Sequence, residues 1–167
     1  MLRVAVFHAA FLLCAWYAVK AGGTPERAAM FAQGLALALT LSTGFLHVSG
    51  AFGTLLPAWL AIDLLLFLAL TILALLADRI WTMVLAGLQL AAVFAHLAKG
   101  LYTDLPPFGY AVFLQLWAYP MLAATAVGVR KHQLRTRQLG PEPHWTRAEF
   151  RSEAFRSGMN GPMSILK

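Results

Sequence analysis

Long apolar runs separated by short polar breaks dominate this sequence. A helix needs roughly 20 apolar residues to cross the ~30 Å hydrocarbon core of a bilayer. The runs are continuously apolar rather than alternating, and a helix satisfies its own backbone hydrogen bonds in lipid, so they predict transmembrane helices rather than strands. We therefore expect an all-α integral membrane bundle of five transmembrane helices within residues 1–129. The predicted spans are 4–19, 28–48, 55–77, 80–98 and 108–129.

The breaks between the runs carry turn and helix-start signals. A Gly-Gly pair at 22–23 ends the first helix. Thr24 followed by Pro25 predicts an N-cap and a first-turn proline for the second helix. Only an Asp-Arg pair at 78–79 separates the third run from the fourth, so these two helices should form an antiparallel hairpin.

Positive charge in short flanking segments predicts the orientation in the membrane. Arg130, Lys131, Arg135 and Arg137 follow the fifth run, so we expect the C-terminus in the cytoplasm. An odd number of spans then places the N-terminus outside. Tryptophan favours both membrane–water interfaces. An interfacial position is accordingly expected for Trp16, Trp59, Trp81 and Trp117.

The composition agrees with a membrane protein and disfavours an enzyme. Of all residues, 60% are hydrophobic and only 12% are charged, whereas a soluble domain carries about 25% charged residues. The single cysteine, Cys14, cannot form an internal disulfide. The sequence contains no Gly-rich phosphate loop, nucleophile elbow, zinc His-Glu motif or cysteine pair. We therefore expect no catalytic residues and no metal site.

Residues 130–167 form a basic segment that we expect to be a cytoplasmic tail. Its eight Lys and Arg residues and three Glu residues give it +5 of the chain's net charge of +6. Thr146 and Glu149 have the spacing of a capping box, which predicts a short helix at about 147–157. The tail should either lie on anionic lipid or dock on a partner subunit, and we expect no nucleic-acid partner. The candidate docking residues are Trp145, Phe150, Phe155, Arg147 and Arg151.

Polar residues inside the predicted spans are the candidate functional groups. An ionisable side chain in the bilayer costs about 3 kcal/mol or more unless it is paired or hydrated, so each one suggests a role. The predicted topology gathers most of them in the outer half of the membrane, and the inner half has little comparable apart from Gln33. The outer layer consists of His8, His47, Asp63, His96, Lys99 and Gln115.

Asp63 is the most informative member of this layer. One interpretation is structural: its carboxylate pairs with Lys99, His96 or His47 and fixes the bundle. A second interpretation is a protonatable carboxyl that serves a proton or small-solute path.

His47 and His96 raise a cofactor hypothesis. They lie at matching depth on two helices that run in the same direction, so a bis-histidine arrangement is geometrically possible. Neutral imidazole binds haem iron, and the magnesium of a chlorophyll-type pigment is a similar axial target. No paired histidines occur at ligand spacing within one helix, and whether any cofactor is bound stays open at this point.

A resemblance extends over about residues 80–132. The residues from Gly87 to Lys99, together with the segments 106–110 and 115–121, resemble small uncharacterised multi-pass inner-membrane proteins of proteobacteria. The resemblance does not include the C-terminal tail. It implies a location in the bacterial inner membrane, and it implies no activity and no binding residues.

These observations favour a non-catalytic accessory subunit of a larger inner-membrane complex, respiratory or photosynthetic. The small body has no loops for chemistry, and the long tail carries a capped aromatic helix. The expected partners are membrane lipids and other membrane-protein subunits. One alternative is an electron-transfer protein that binds a haem- or chlorophyll-type cofactor at His47 and His96. Another is a membrane protein that handles protons or small solutes at Asp63.

Overall fold

The chain folds into α-helices throughout the part that the structure describes. The computed structural model describes residues 2–46, 52–77, 79–101 and 107–139, with side chains described except at 44–46, 52–56, 107–115 and 139. His47 and the whole segment 140–167, including the predicted tail helix and its docking residues, lie outside these ranges. The helices are α1 (Leu2–Ala21), α2 (Thr24–Leu46), α3 (Phe52–Ala77), α4 (Ile80–Leu101) and α5 (Pro107–Leu139).

Three of the helices are long and apolar enough to cross a membrane, as judged on the described residues. They comprise Leu2–Ala21, Pro57–Ala77 and Ile80–Leu101. Their outward faces carry large exposed apolar side chains, such as Leu12, Leu65 and Met83. In water such a surface would be unfavourable, whereas lipid tails solvate it. The chain is therefore a helical membrane protein.

A two-residue turn joins α1 to α2. The Gly22 N–H donates to the Ala18 carbonyl at 2.9 Å and closes α1, and the Arg27 N–H donates to the Gly23 carbonyl at 3.1 Å and opens α2. Gly23 is therefore the N-cap of α2, and the prediction that Thr24 holds this position is wrong by one residue. The reason is Glu26, whose carboxylate accepts the Gly23 N–H at 3.0 Å and caps the helix from three residues away.

The helices follow one another around the bundle. Each helix after α1 packs against the helix that precedes it in the chain. In addition, α5 packs against α1 and closes the ring. The contact between α3 and α4 is the most extensive, in agreement with the predicted hairpin. A weaker contact between α2 and α5 crosses the ring.

Two apolar clusters hold the bundle together. One joins α2, α3, α4 and α5 around the fully buried side chains of Leu70 and Leu85. The other joins α1, α2 and α5 around Ala18 and Val129. Small residues at these contacts let the helices approach closely, which strengthens packing in lipid.

Trp81 is a central member of the first cluster, with 5% of its surface exposed. Its indole ring therefore packs inside the bundle near the start of α4, and its predicted interfacial depth stays a prediction. The packing is possible because Gly128 on α5 has no side chain where the indole ring lies: a Cβ added there would be 2.7 Å from the ring. Trp16, by contrast, is 64% exposed on α1.

Candidate functional site

An acidic side chain meets two polar side chains between α3 and α4. Asp63 Oδ2 lies 2.6 Å from His96 Nε2. Gln89 Nε2 donates to Asp63 Oδ1 at 2.9 Å and to the Asp63 carbonyl oxygen at 3.2 Å. We call Asp63, Gln89 and His96 the Asp63 cluster.

The α4 sequence places two members of this cluster on one face. Gln89 and His96 are seven residues apart, which corresponds to two helical turns. Both are buried, with 2% and 3% of their surfaces exposed, whereas 24% of the Asp63 side chain remains accessible. The carboxylate is thus bound by two buried side chains, and part of its own surface remains exposed outside the bundle.

This geometry bears on both interpretations of Asp63. Of the three partners considered for its carboxylate, the structure brings His96 into contact, which agrees with the structural interpretation. The same short contact between a carboxylate and an imidazole could also pass a proton, since imidazole can accept or donate one. The arrangement therefore connects α3 to α4, and proton exchange at Asp63 stays a hypothesis.

The cofactor hypothesis stays a prediction. The contact with Asp63 occupies His96 Nε2, one of the two imidazole nitrogens through which a histidine ligates a metal. Its proposed partner, His47, lies outside the described residues. A visible and near-infrared absorption spectrum of the purified protein tests the hypothesis directly, because a bound tetrapyrrole absorbs there.

The other residues of the predicted outer layer do not join this cluster in the described part of the chain. His8 Nδ1 donates to the Val4 carbonyl of its own helix at 2.8 Å. Lys99 lies one turn beyond His96 on α4, partly buried. Gln115 belongs to α5, and its side chain is outside the described set.

A second buried polar group lies at the opposite end of the bundle, near the α1–α2 turn. Glu26 is fully buried, and a Cβ added to the adjoining Gly23 would lie 2.8 Å from His132 Cε1. Glu26 Oε1 is buried with no hydrogen-bond partner among the described residues, while Arg79 and His132 interact with the carboxylate electrostatically. We call Gly23, Glu26, Arg79 and His132 the Glu26 cluster.

Burial raises the pKa of Glu26 above its ordinary value of 4.5. Backbone hydrogen bonds and the charges of Arg79 and His132 pull the pKa down, yet removal from water is the larger effect. Glu26 comes just before the predicted second span, at the end of the bundle that contains the α1–α2 turn. The Glu26 cluster is therefore a second group of buried polar residues, separate from the Asp63 cluster.

All four members of this cluster lie just outside the predicted spans, and none of them was singled out from the sequence as a candidate residue. In the sequence, Glu26 looks like an ordinary first-turn acid and His132 like part of a basic tail. A usable signal was present: Glu26 and Gln33 are seven residues apart on α2, and Thr125 and His132 are seven apart on α5. Each pair lies on one helix face, and the two faces meet.

Within the described ranges, no group of three or more His, Cys, Asp or Glu residues could hold a metal ion. Comparisons with protein-family models, curated proteins and solved structures return no match. The functional argument consequently rests on the polar contacts within the bundle.

Several of those contacts join one helix to another. Gln33 Nε2 on α2 donates to Thr125 Oγ1 on α5 at 3.1 Å. Tyr17 on α1 donates to Gln133 Oε1 on α5 at 2.9 Å. Trp59 Nε1 on α3 donates to Thr43 Oγ1 on α2 at 3.1 Å. Together with the Asp63 cluster, these bonds join four pairs of helices: α2–α5, α1–α5, α2–α3 and α3–α4.

Proposed function

We propose that this chain is a non-catalytic accessory subunit of a larger complex in the bacterial inner membrane, respiratory or photosynthetic. It would span the membrane five times, with the N-terminus outside and the C-terminus in the cytoplasm. The observation that carries the proposal is the use of the buried polar groups: in the described helices they are divided between two separate clusters and single bonds that connect neighbouring helices.

The contrast with an enzyme supports this proposal. Catalysis needs several polar groups within reach of one reacting atom. Here the Asp63 cluster lies on α3 and α4, and the Gln33–Thr125 bond lies on α2 and α5. The fully buried Leu70 and Leu85 belong to the apolar cluster that joins these four helices. Side chains arranged in this way stabilise the helix bundle, whose proposed role is to bind other membrane proteins through its outer surface.

That surface suits contact with other membrane proteins as well as lipid. Large apolar side chains are exposed on every described helix, and Phe31 on α2 is 73% exposed. The bioenergetic part of the proposal comes from the sequence, which combines a small body with a long tail carrying a capped aromatic helix. The bacterial inner membrane follows from the resemblance of residues 80–132 to proteobacterial inner-membrane proteins.

The test is the mass and composition of the particle extracted from the native membrane in mild detergent. We expect a particle much heavier than 18.2 kDa plus its micelle, containing other chains in fixed ratio. A particle that contains this chain alone would overturn the proposal.

A paired variant tests the docking role of the tail in the same assay. Trp145→Ala combined with Phe150→Ala should release the partner chains if the tail helix docks on them. Trp16→Ala is the matched control, because it removes an exposed tryptophan from α1 while leaving the tail intact. Retention of the partners by the tail variant would reject the docking residues.

A second candidate function is proton handling at Asp63. The observation that favours it is the 2.6 Å contact between Asp63 and His96, with the carboxylate side chain still partly accessible. Asp63→Asn keeps a hydrogen-bonding side chain of the same size and removes the titratable group. It should therefore abolish proton flux into vesicles that contain the purified protein under an imposed membrane potential.

Thr125→Val is the control for this experiment. It breaks the bond between α2 and α5 and leaves every titratable group in place. Flux through the wild-type protein and the Thr125→Val variant, but not through Asp63→Asn, would support proton handling. Wild-type flux no greater than that of protein-free vesicles would reject it.

A further inference from the structure

Exposed basic side chains gather at the end of the bundle that contains the α1–α2 turn. Lys20 ends α1, Arg27 lies in the first turns of α2, and Arg130 and Lys131 follow the last buried residue of α5. All four are exposed, and none has a side-chain hydrogen bond or ion pair within the described residues. We call Lys20, Arg27, Arg130 and Lys131 the basic belt.

The bond between Tyr17 and Gln133 gives the relative positions of Lys20 and Arg130 along the bundle axis. It holds α1 and α5 in register at 2.9 Å, and both helices run towards this end. Lys20 is three residues beyond Tyr17, and Arg130 is three residues before Gln133, so each lies about 4.5 Å from that level. The two positions differ by about 9 Å along the bundle.

A second contact fixes the depth of Arg27. Gly23 lies against the His132 ring, since a Cβ there would be 2.8 Å from it. Arg27 is four residues further along α2, about 6 Å towards the membrane centre. All four belt residues therefore fall within about 12 Å along the bundle axis. Long, flexible Lys and Arg side chains can extend along the axis, so their charged groups can reach one layer of the membrane.

Little negative charge offsets the belt. Among the described residues at this end, Glu26 is the one acid, and it is fully buried against Arg79 and His132. Trp16, 64% exposed and one turn from Lys20, suits the interfacial layer that tryptophan favours. The described part of the opposite end offers only Arg3 and Lys99 as basic residues.

We propose that the basic belt binds the phosphate groups of anionic phospholipids in the adjacent leaflet. Four exposed cations at headgroup depth, on the turn and on the neighbouring α5, match a layer of phosphodiester anions in charge and position. The site lies on helix ends within the folded bundle: Arg130 and Lys131 begin the predicted basic tail but belong to α5, and residues 140–167 are not part of the site. It requires a membrane and does not depend on whether the chain is a subunit of a complex.

The experiment titrates the full-length protein, in a neutral detergent, with short-chain phosphatidylglycerol or phosphatidylcholine and counts bound lipid by native mass spectrometry. The wild-type protein should prefer phosphatidylglycerol. Each belt charge removed should weaken this binding about five-fold, so Lys20→Gln with Arg130→Gln should weaken it about 25-fold. Binding of phosphatidylcholine should not change.

Two variants serve as matched controls. Arg3→Gln removes an exposed basic residue from the opposite end, and Arg147→Gln with Arg151→Gln removes two charges from the tail. Both should retain the binding of phosphatidylglycerol, and the melting temperature of every variant verifies that it is folded. Equal loss in the tail variant, full binding by the belt variant, or no lipid preference in the wild-type protein would each overturn the proposal.

Discussion

At the scale of single residues, Gly128 on α5 lies directly against the buried ring of Trp81 on α4. A Cβ on Gly128 would lie 2.7 Å from Cδ2 and Cε2 of a buried indole ring. We expect Gly128→Ala to lower the free energy of unfolding by about 1–3 kcal/mol, because the ring or α5 must move. Thermal or denaturant unfolding of the purified protein in detergent measures the change.

Gly87 provides the matched control on α4. No atom lies within 4 Å of a Cβ added there. Alanine is a better helix former than glycine by up to about 1 kcal/mol, so Gly87→Ala should be neutral or stabilising. Equal losses in the two variants would mean that the indole contact does not account for the effect.

Glu26 gives the described bundle a specific dependence on pH. Burial raises the pKa of this carboxyl above 4.5, so the folded protein holds the proton more tightly than the unfolded chain. The stability gained from that proton is complete below pH 4.5 and is lost as the pH rises through the folded pKa. The wild-type protein should therefore lose stability relative to Glu26→Gln as the pH rises from the acid range to neutrality.

The measurement is the difference in melting temperature between the wild-type protein and Glu26→Gln across that pH range. Glutamine keeps an oxygen that can accept the Gly23 N–H, so the cap survives while the titratable group is removed. Taking the difference cancels the contributions of titratable groups that do not interact with Glu26. A difference that stays constant with pH would contradict the buried, proton-retaining carboxyl.

At the scale of helices, the Gln33–Thr125 bond is a defined tie between α2 and α5. Thr125 Oγ1 accepts from Gln33 and donates to the Met121 carbonyl, and both side chains are buried. Interhelical hydrogen bonds in membrane proteins contribute on average about 0.6 kcal/mol and at most about 1.7 kcal/mol. We expect a coupling energy in that range from the double-mutant cycle of Gln33→Leu and Thr125→Val, measured by unfolding. A coupling energy of zero would show that the two side chains act independently.

The sequence predicts that the five helices exist more reliably than it predicts where they end. Continuous apolar runs mark the part of a helix that meets lipid, and the backbone continues beyond it. Thus α5 extends ten residues past the predicted end at 129, through a segment rich in Arg, Lys and Gln, which are good helix formers. Likewise α3 begins at Phe52 rather than at residue 55.

The candidate sites also include features that the sequence predicts and features that it does not. The heptad spacing of Gln89 and His96 and the isolation of Asp63 in an apolar run are local features, so the sequence identifies them. Burial of Glu26 and Trp81 depends on which helices are neighbours, because His132 and Gly128 come from the far end of the chain. The order of the helices around the bundle is not encoded locally, and neither burial was predicted from the sequence.

At the scale of the whole molecule, the direction of the helices makes the proposed topology testable. Five consecutive spans would place the start of α1 and the end of α5 on opposite sides of the membrane. The basic belt lies at the end that the charge rule assigns to the cytoplasm. Arg3 and Arg137 are exposed at these two ends, and both are suited to substitution by cysteine.

A membrane-impermeant maleimide applied to intact bacterial cells reports the side of each position. Arg3→Cys should be labelled without lysis, and Arg137→Cys should be labelled only after lysis. The wild-type protein is the control, because its single cysteine, Cys14, is 9% exposed between α1 and α5. Labelling of both variants in intact cells would require an even number of spans. The reverse pattern would keep the odd number and invert the orientation, moving the basic belt to the outer leaflet.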